Sequence, residues 1–202
     1  MIAAPPPLRI LTVCTHNRTR SVMMAALLES MLSDRLGAGR VTVRSSGFGP
    51  EGIAAIDDAV SAMKRRGLDV SGHRSRATTA ALVDGADVIV TAEREHVVKV
   101  AALSRDAFAR ALTLPELLAR AADAPVADGV DDPRRWVGSL TATRTASRYL
   151  RESIPEVADP TGSPARAFEA AVVDIERQCT EAAEVLARAA GRWSTNRGRN
   201  EE

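Results

Sequence analysis

Cysteine, histidine and aromatic residues are all scarce in this chain. Two cysteines, Cys14 and Cys179, occur in 202 residues. That is too few for a disulfide framework, so reduced thiols and a cytoplasmic location are expected. Three histidines are scattered, and nothing resembles a ligand cluster, so neither a metal nor a cofactor is expected. Charge of one sign is also missing. The 27 Lys and Arg against 26 Asp and Glu leave a net charge of +1, which excludes a global pull toward nucleic acid or an anionic membrane. No apolar run approaches the roughly twenty residues needed to cross a bilayer. Met1 to Leu8 has no charged n-region and no apolar h-region, and reads as an extended proline-bearing lead-in. Aromatics make up 3%, so few rings are available to clasp a ring on a substrate.

What is present is a pattern of alternating β and α signals over a chain that is 45% apolar. This predicts one α/β domain with a parallel sheet, over residues 8–190, with flexible ends at 1–7 and 191–202. Strands are expected at 8–13, 41–45, 86–90 and 110–114. Helices are expected at 20–36, 56–66, 77–83, 93–103 and 168–190, with a short one opened by Pro115. Residues 121–157 are rich in Asp, Arg and Pro, and periodicity places a helix at about 139–152. The arginines of 134–151 are expected on a solvated face, and Cys179 on a packed helix face.

The most informative stretch is Val13-Cys14-Thr15-His16-Asn17-Arg18-Thr19-Arg20-Ser21. It joins the first strand to the first long helix. A strand, a short loop and a helix N-terminus make a cradle of main-chain N–H groups at the positive end of the helix dipole. A thiolate at the start of such a loop is itself an anion in the cradle. An arginine at its end can hold two oxygens of a bound oxyanion. Nucleophile, anion nest and guanidinium together describe thiol chemistry on phosphate.

On these residues the chain resembles the low-molecular-weight protein-tyrosine-phosphatase family. Cys14, Asn17, Arg20 and Ser21 fit its Cys-x-x-Asn-x-x-Arg-Ser loop, and Asp159-Pro160 stands where the family has an Asp-Pro before its last helix. Ser45-Ser46-Gly47, Ser71 to Arg76 and Ala86 to Val90 fit intervening segments. The resemblance covers about residues 8–188. It implies a three-layer fold, with a central four-stranded parallel sheet and helices on both faces. It implies binding of phosphate or sulfate, and a phosphorylated protein, phosphotyrosine first, as substrate partner. Cys14 is then the nucleophile that becomes a phosphocysteine. Arg20 grips the transferring phosphoryl group. Asp159 is general acid, then base. Thr15, His16, Asn17, Arg18, Thr19 and Ser21 complete the phosphate loop, Ser21 donating to the sulfur. Ser45 and His73 join Asn17 in supporting the loop.

The chain departs from the family at His16, Thr19 and Val22, where Gly, Cys and Pro are usual. Losing glycine at 16 predicts a different local path for the loop. The aromatics that follow the Asp-Pro in some members are replaced by Thr161 and Gly162, leaving Phe48 as one substrate wall and Trp136 or Tyr149 as another. Rival functions on the same motif are phosphoarginine removal, arsenate reduction with a low-molecular-weight thiol, and a silent phosphate-binding module. The Asp159-Pro160 pair favours hydrolysis.

Overall fold

A computed structural model describes residues 6–126 and 132–196, with side chains to residue 190. Most of the two expected flexible ends, residues 1–5 and 197–202, lies outside the described residues. The sheet has the order β2-β1-β3-β4, all parallel. Its strands are β1 (Leu8–Cys14), β2 (Val41–Gly47), β3 (Val88–Thr91) and β4 (Ala111–Thr113). β1 is buried on both faces apart from the exposed Arg9, as a mostly apolar central strand requires. From it the chain crosses to β2 on one side, and later to β3 on the other. The carboxyl ends of β1, β2 and β3 therefore meet, with Cys14 beside Gly47 and Val13 beside Thr91. Such a switch point is where open α/β sheets hold their ligands.

Helices cover both faces. On one face, α1 (Arg20–Leu36) packs with the long terminal α8 (Ala165–Asn196). Met23, Met24, Leu27 and Leu28 meet Val172, Ile175, Cys179 and Leu186 in one core. α2 (Asp57–Arg65) and α5 (Leu114–Asp123) flank that core. On the other face, α3 (Ala80–Gly85) and α4 (Arg94–Leu103) cover Leu11, Val13 and Ile89. The three-layer, four-stranded expectation is met. α8 runs past its expected end at 190, to Asn196.

Residues 133–152 differ from the expected single helix at 139–152. They form α6 (Pro133–Leu140) and α7 (Ala146–Tyr149). Asp132 caps α6 through the N–H of Arg134, with Pro133 in the first turn. The helix ends at Thr141, whose hydroxyl donates to Ala109 O at 2.7 Å and ties the turn to the residues before β4. Thr145 then caps α7. The segment is pinned by Arg144, which is not on a solvated face. Its guanidinium is buried between the Phe108 and Tyr149 rings, 4.2 and 4.6 Å from their centroids. There it donates to the buried Glu116 at 3.3 Å.

Candidate active site

The segment 15–19 folds as an open loop between β1 and α1. Asn17, at φ 52°, is its one left-handed residue. His16 keeps an ordinary φ, so the path predicted to change at position 16 accommodates a bulky residue there. His16 is exposed, with its ring lying over Gly49, where an added Cβ would sit 2.5 Å from Nδ1. Gly47 is needed for a different reason. A Cβ there would lie 2.7–2.9 Å from Asn17 N, Cys14 O and Thr15 O, all main-chain atoms. The loop can close against the end of β2 only because this residue has no side chain.

Thr19 occupies the N-cap of α1 without making a side-chain cap bond, and no acidic residue lies in the first turn. The cap and first turn of α1 thus contribute no carboxylate of their own to the positive end of its dipole. Cys14 Sγ lies 3.0 Å from Ser21 Oγ. Asn17 Nδ2 donates to that same oxygen at 3.0 Å, leaving the serine hydrogen free to point at the sulfur when it is a thiolate. Thr12 Oγ1 donates to Ser21 O at 2.7 Å, tying strand to helix beneath the sulfur. Asn17 is fixed on its other sides. Its Oδ1 accepts from Arg76 N at 2.9 Å, and its carbonyl accepts from His73 Nε2 at 2.7 Å. Burial first, then the charges of Arg76 and Arg74, hold His73 below the ordinary histidine range.

Arg20 is buried. Its guanidinium donates to Glu93, to Val157 O at 3.1 Å, and to Asp159 Oδ2 at 2.8 Å. Arg20, at the far end of the loop that Cys14 opens, therefore meets a late carboxylate, although 145 positions separate Cys14 from Asp159. The Asp159 loop is held to the sheet by Val157 N on Ala92 O at 2.8 Å and by Thr113 Oγ1 on Pro155 O at 2.7 Å. Thr161 Oγ1 donates to Thr19 Oγ1 at 3.2 Å, joining it to the anion loop. The Asp159 side chain remains 48% exposed, open to solvent on its other side.

Other expected residues sit elsewhere. Ser45 is half-buried and makes no side-chain hydrogen bond among the described residues. The neighbouring Ser46 is the buried one. Its hydroxyl pairs with Thr78 Oγ1 at 2.9 Å, and Thr78 donates to Gly47 O at the same distance, bracing the loop's floor. Trp136 and Tyr149 are buried in the two cores and form no substrate wall. Phe48 is at the site. Its N–H donates to Thr15 O at 2.7 Å, and its ring stacks on His96 at 6.0 Å beneath Lys99. Arg18 is turned aside, with Nε on Ala54 O at 2.9 Å.

Two residues were not anticipated. Glu93, expected only as the start of a helix, is the partner of Arg20. His96, one turn into α4, is 1% exposed and accepts from Glu93 N through Nδ1 at 3.1 Å. Its Nε2 lies 3.1 Å from Thr15 Oγ1. A main-chain N–H can only donate, so the neutral ring carries its proton on Nε2 and donates to Thr15. Burial pushes His96 down to about 4. Glu-x-x-His directly after a strand was the available signal, as a variant of the capping box.

Comparison with known proteins agrees with this geometry. The family model "Low molecular weight phosphotyrosine protein phosphatase" matches residues 9–191. A protein-arginine-phosphatase of Geobacillus stearothermophilus is 31% identical over 181 residues, 89% of this chain and 97% of that one. EpsP of Ralstonia solanacearum, a probable low molecular weight protein-tyrosine-phosphatase, is 40% identical over 82 residues, 40% of this chain. The chain spans about half of that relative's length, 52%. Among solved structures, the YwlE arginine phosphatase from Geobacillus stearothermophilus superposes with a TM-score of 0.64 at 26% identity, covering 90% of this chain and 94% of that one.

Proposed function

The chain belongs to the low molecular weight phosphotyrosine protein phosphatase family, and from that premise we propose that it removes phosphate from protein side chains through a phosphocysteine at Cys14, with phosphoarginine as its preferred substrate. The observation that carries the chemistry is the convergence of Cys14 Sγ, the uncapped N-terminus of α1, Arg20 and Asp159 at one strand end. The sulfur attacks phosphorus in line with the leaving atom. An S–P bond forms, the P–N or P–O bond breaks, and Asp159 passes its proton to the departing nitrogen or oxygen. The loop N–H groups and Arg20 balance the charge on the equatorial oxygens. Asp159 then takes a proton from water, which attacks phosphorus. The S–P bond breaks, and the sulfur leaves as a thiolate toward which the Ser21 hydroxyl is already directed.

Two observations favour phosphoarginine. The relative matched along nearly its whole length is an arginine phosphatase. Among the described residues the site also lacks paired aromatic walls, since Trp136 and Tyr149 are in the cores and Phe48 is stacked on His96. Phosphotyrosine is the second reading, favoured by the higher local identity to EpsP. A thiol relay through Cys179, as arsenate reduction could use, finds no support. That thiol is fully buried in α8, and burial pushes it far up from its ordinary value.

The test is turnover of phosphoarginine and phosphotyrosine peptides, p-nitrophenyl phosphate, and arsenate with small thiols, measured in parallel. The expected order is phosphoarginine first, phosphotyrosine second, and no arsenate reduction. Cys14→Ser abolishes turnover and retains oxyanion binding. Asp159→Asn slows esters with poor leaving groups most. Wild-type turnover by Cys14→Ser, or arsenate reduction as the main activity, overturns the proposal.

A further inference from the structure

We propose that His96 is a positioning residue for the phosphoryl-transfer site, holding the anion loop and the arginine clamp in register. The inference rests on the phosphatase reading and extends it to a residue that touches no substrate. The contacts run in an unbroken chain. Thr15, next to the nucleophile, receives a hydrogen bond from His96 Nε2 at 3.1 Å. His96 Nδ1 receives one from Glu93 N at 3.1 Å. The Glu93 carboxylate holds the Arg20 guanidinium, which also reaches Asp159. One imidazole therefore connects the two ends of the cradle, the side that supplies the sulfur and the side that supplies the positive charge.

The ring is itself immobilised. Phe48 stacks on it at an interplanar angle of 15°, and the Phe48 N–H is bonded to Thr15 O, so ring and loop are fastened by the same residue. Both ring nitrogens are used, each in one sense only, and the ring is buried. A buried group satisfied on both sides, and tied to a clamp that must point within a few degrees of its target, sets orientation more than it sets stability. The two nitrogens can be separated by substitution. Asn places its Oδ1 where Nδ1 stands, so His96→Asn keeps the acceptor for Glu93 and loses the donor to Thr15. Gln places its Nε2 where the ring Nε2 stands, so His96→Gln does the reverse.

The experiment measures kcat and KM for p-nitrophenyl phosphate in wild type, His96→Ala, His96→Asn and His96→Gln, with thermal melts of each. In parallel, the affinity for inorganic phosphate is measured by calorimetry. Because the Glu93 arm governs Arg20, kcat/KM falls roughly ten- to hundredfold in His96→Ala and His96→Gln, while His96→Asn recovers most of the loss. Phosphate affinity follows the same order at temperatures well below the melt. If His96→Ala stays within about twofold of wild type per folded molecule, or if all three variants lose activity only in proportion to melting, the proposal is wrong. If wild type turns over neither p-nitrophenyl phosphate nor a phosphoarginine peptide, the phosphatase reading fails, and the order of phosphate affinities still decides the role of His96. Absence of phosphate binding in wild type overturns both.

Discussion

Acidification should unfold this protein in a manner traceable to one ring. His96 is neutral in the folded state because it is buried, with a folded value of about 4. In the unfolded chain it titrates near the ordinary histidine value of about 6.5. The folded form therefore binds the proton less well than the unfolded form. The resulting stability is fully present above about pH 6.5. It is lost as pH falls toward 4, and is constant below that. Each pH unit in the window costs about 1.4 kcal/mol, so about 3 kcal/mol is lost across it and about 2 kcal/mol between pH 7 and 5. The neighbouring charges are Glu93, which opposes the shift, Arg20 and Lys99, which reinforce it, and Glu95, which opposes it weakly. None of them outweighs burial. The assay is urea denaturation of wild type and His96→Asn at half-unit steps from pH 7.5 to 5. His73 is also held low and adds slope of the same sign to both proteins. Only the difference between the two curves reports His96. That difference should shrink by about 2 kcal/mol toward pH 5. Parallel curves would refute the argument from burial.

The remaining predictions concern the frame. Glu116→Ala strands the buried Arg144 guanidinium between two rings with only carbonyl partners, and should destabilise by about 3–5 kcal/mol in urea melts. Arg144→Ala should cost less, because Glu116 keeps Arg120 at 2.8 Å and the Tyr149 hydroxyl at 3.2 Å. Gly47→Ala forces a Cβ onto three main-chain atoms of the anion loop, so phosphate affinity and turnover should fall together with a loss of about 1–3 kcal/mol. Gly138→Ala, whose Cβ would meet nothing within 4 Å inside α6, is the control and should gain about 0.5–1 kcal/mol.

The parts of the site that lie along one continuous stretch of chain were the most legible. Cys14 to Ser21 can be read directly, because a strand, a loop and a helix N-terminus carry their own local signals. Asp159 could be placed only by its Asp-Pro motif and its position before the last helix. Glu93 and His96 escaped notice because their importance comes from the pairing of β3 with β1, which lays the first turn of α4 beside the loop. Helical periodicity carries no information about that neighbour. Ser45 and Ser46 show the sensitivity of a strand to register, since two adjacent serines project to opposite faces and only one is enclosed. Trp136, Tyr149 and Arg144 are not legible as buried, because side chains in a segment with weak helical signals look available for solvent. The segment instead folds as two short helices that tuck all three inside.

The distance along the chain between Cys14 and Asp159 bears on how the protein is made. When β1, the loop and α1 leave the ribosome, the nascent polypeptide already holds the sulfur and the guanidinium. It lacks the Asp159 carboxylate that Arg20 holds and the terminal helix against which α1 packs. On the proposed mechanism, a partly synthesised molecule has the anion loop without its acid, and full turnover waits until translation has delivered the late carboxylate.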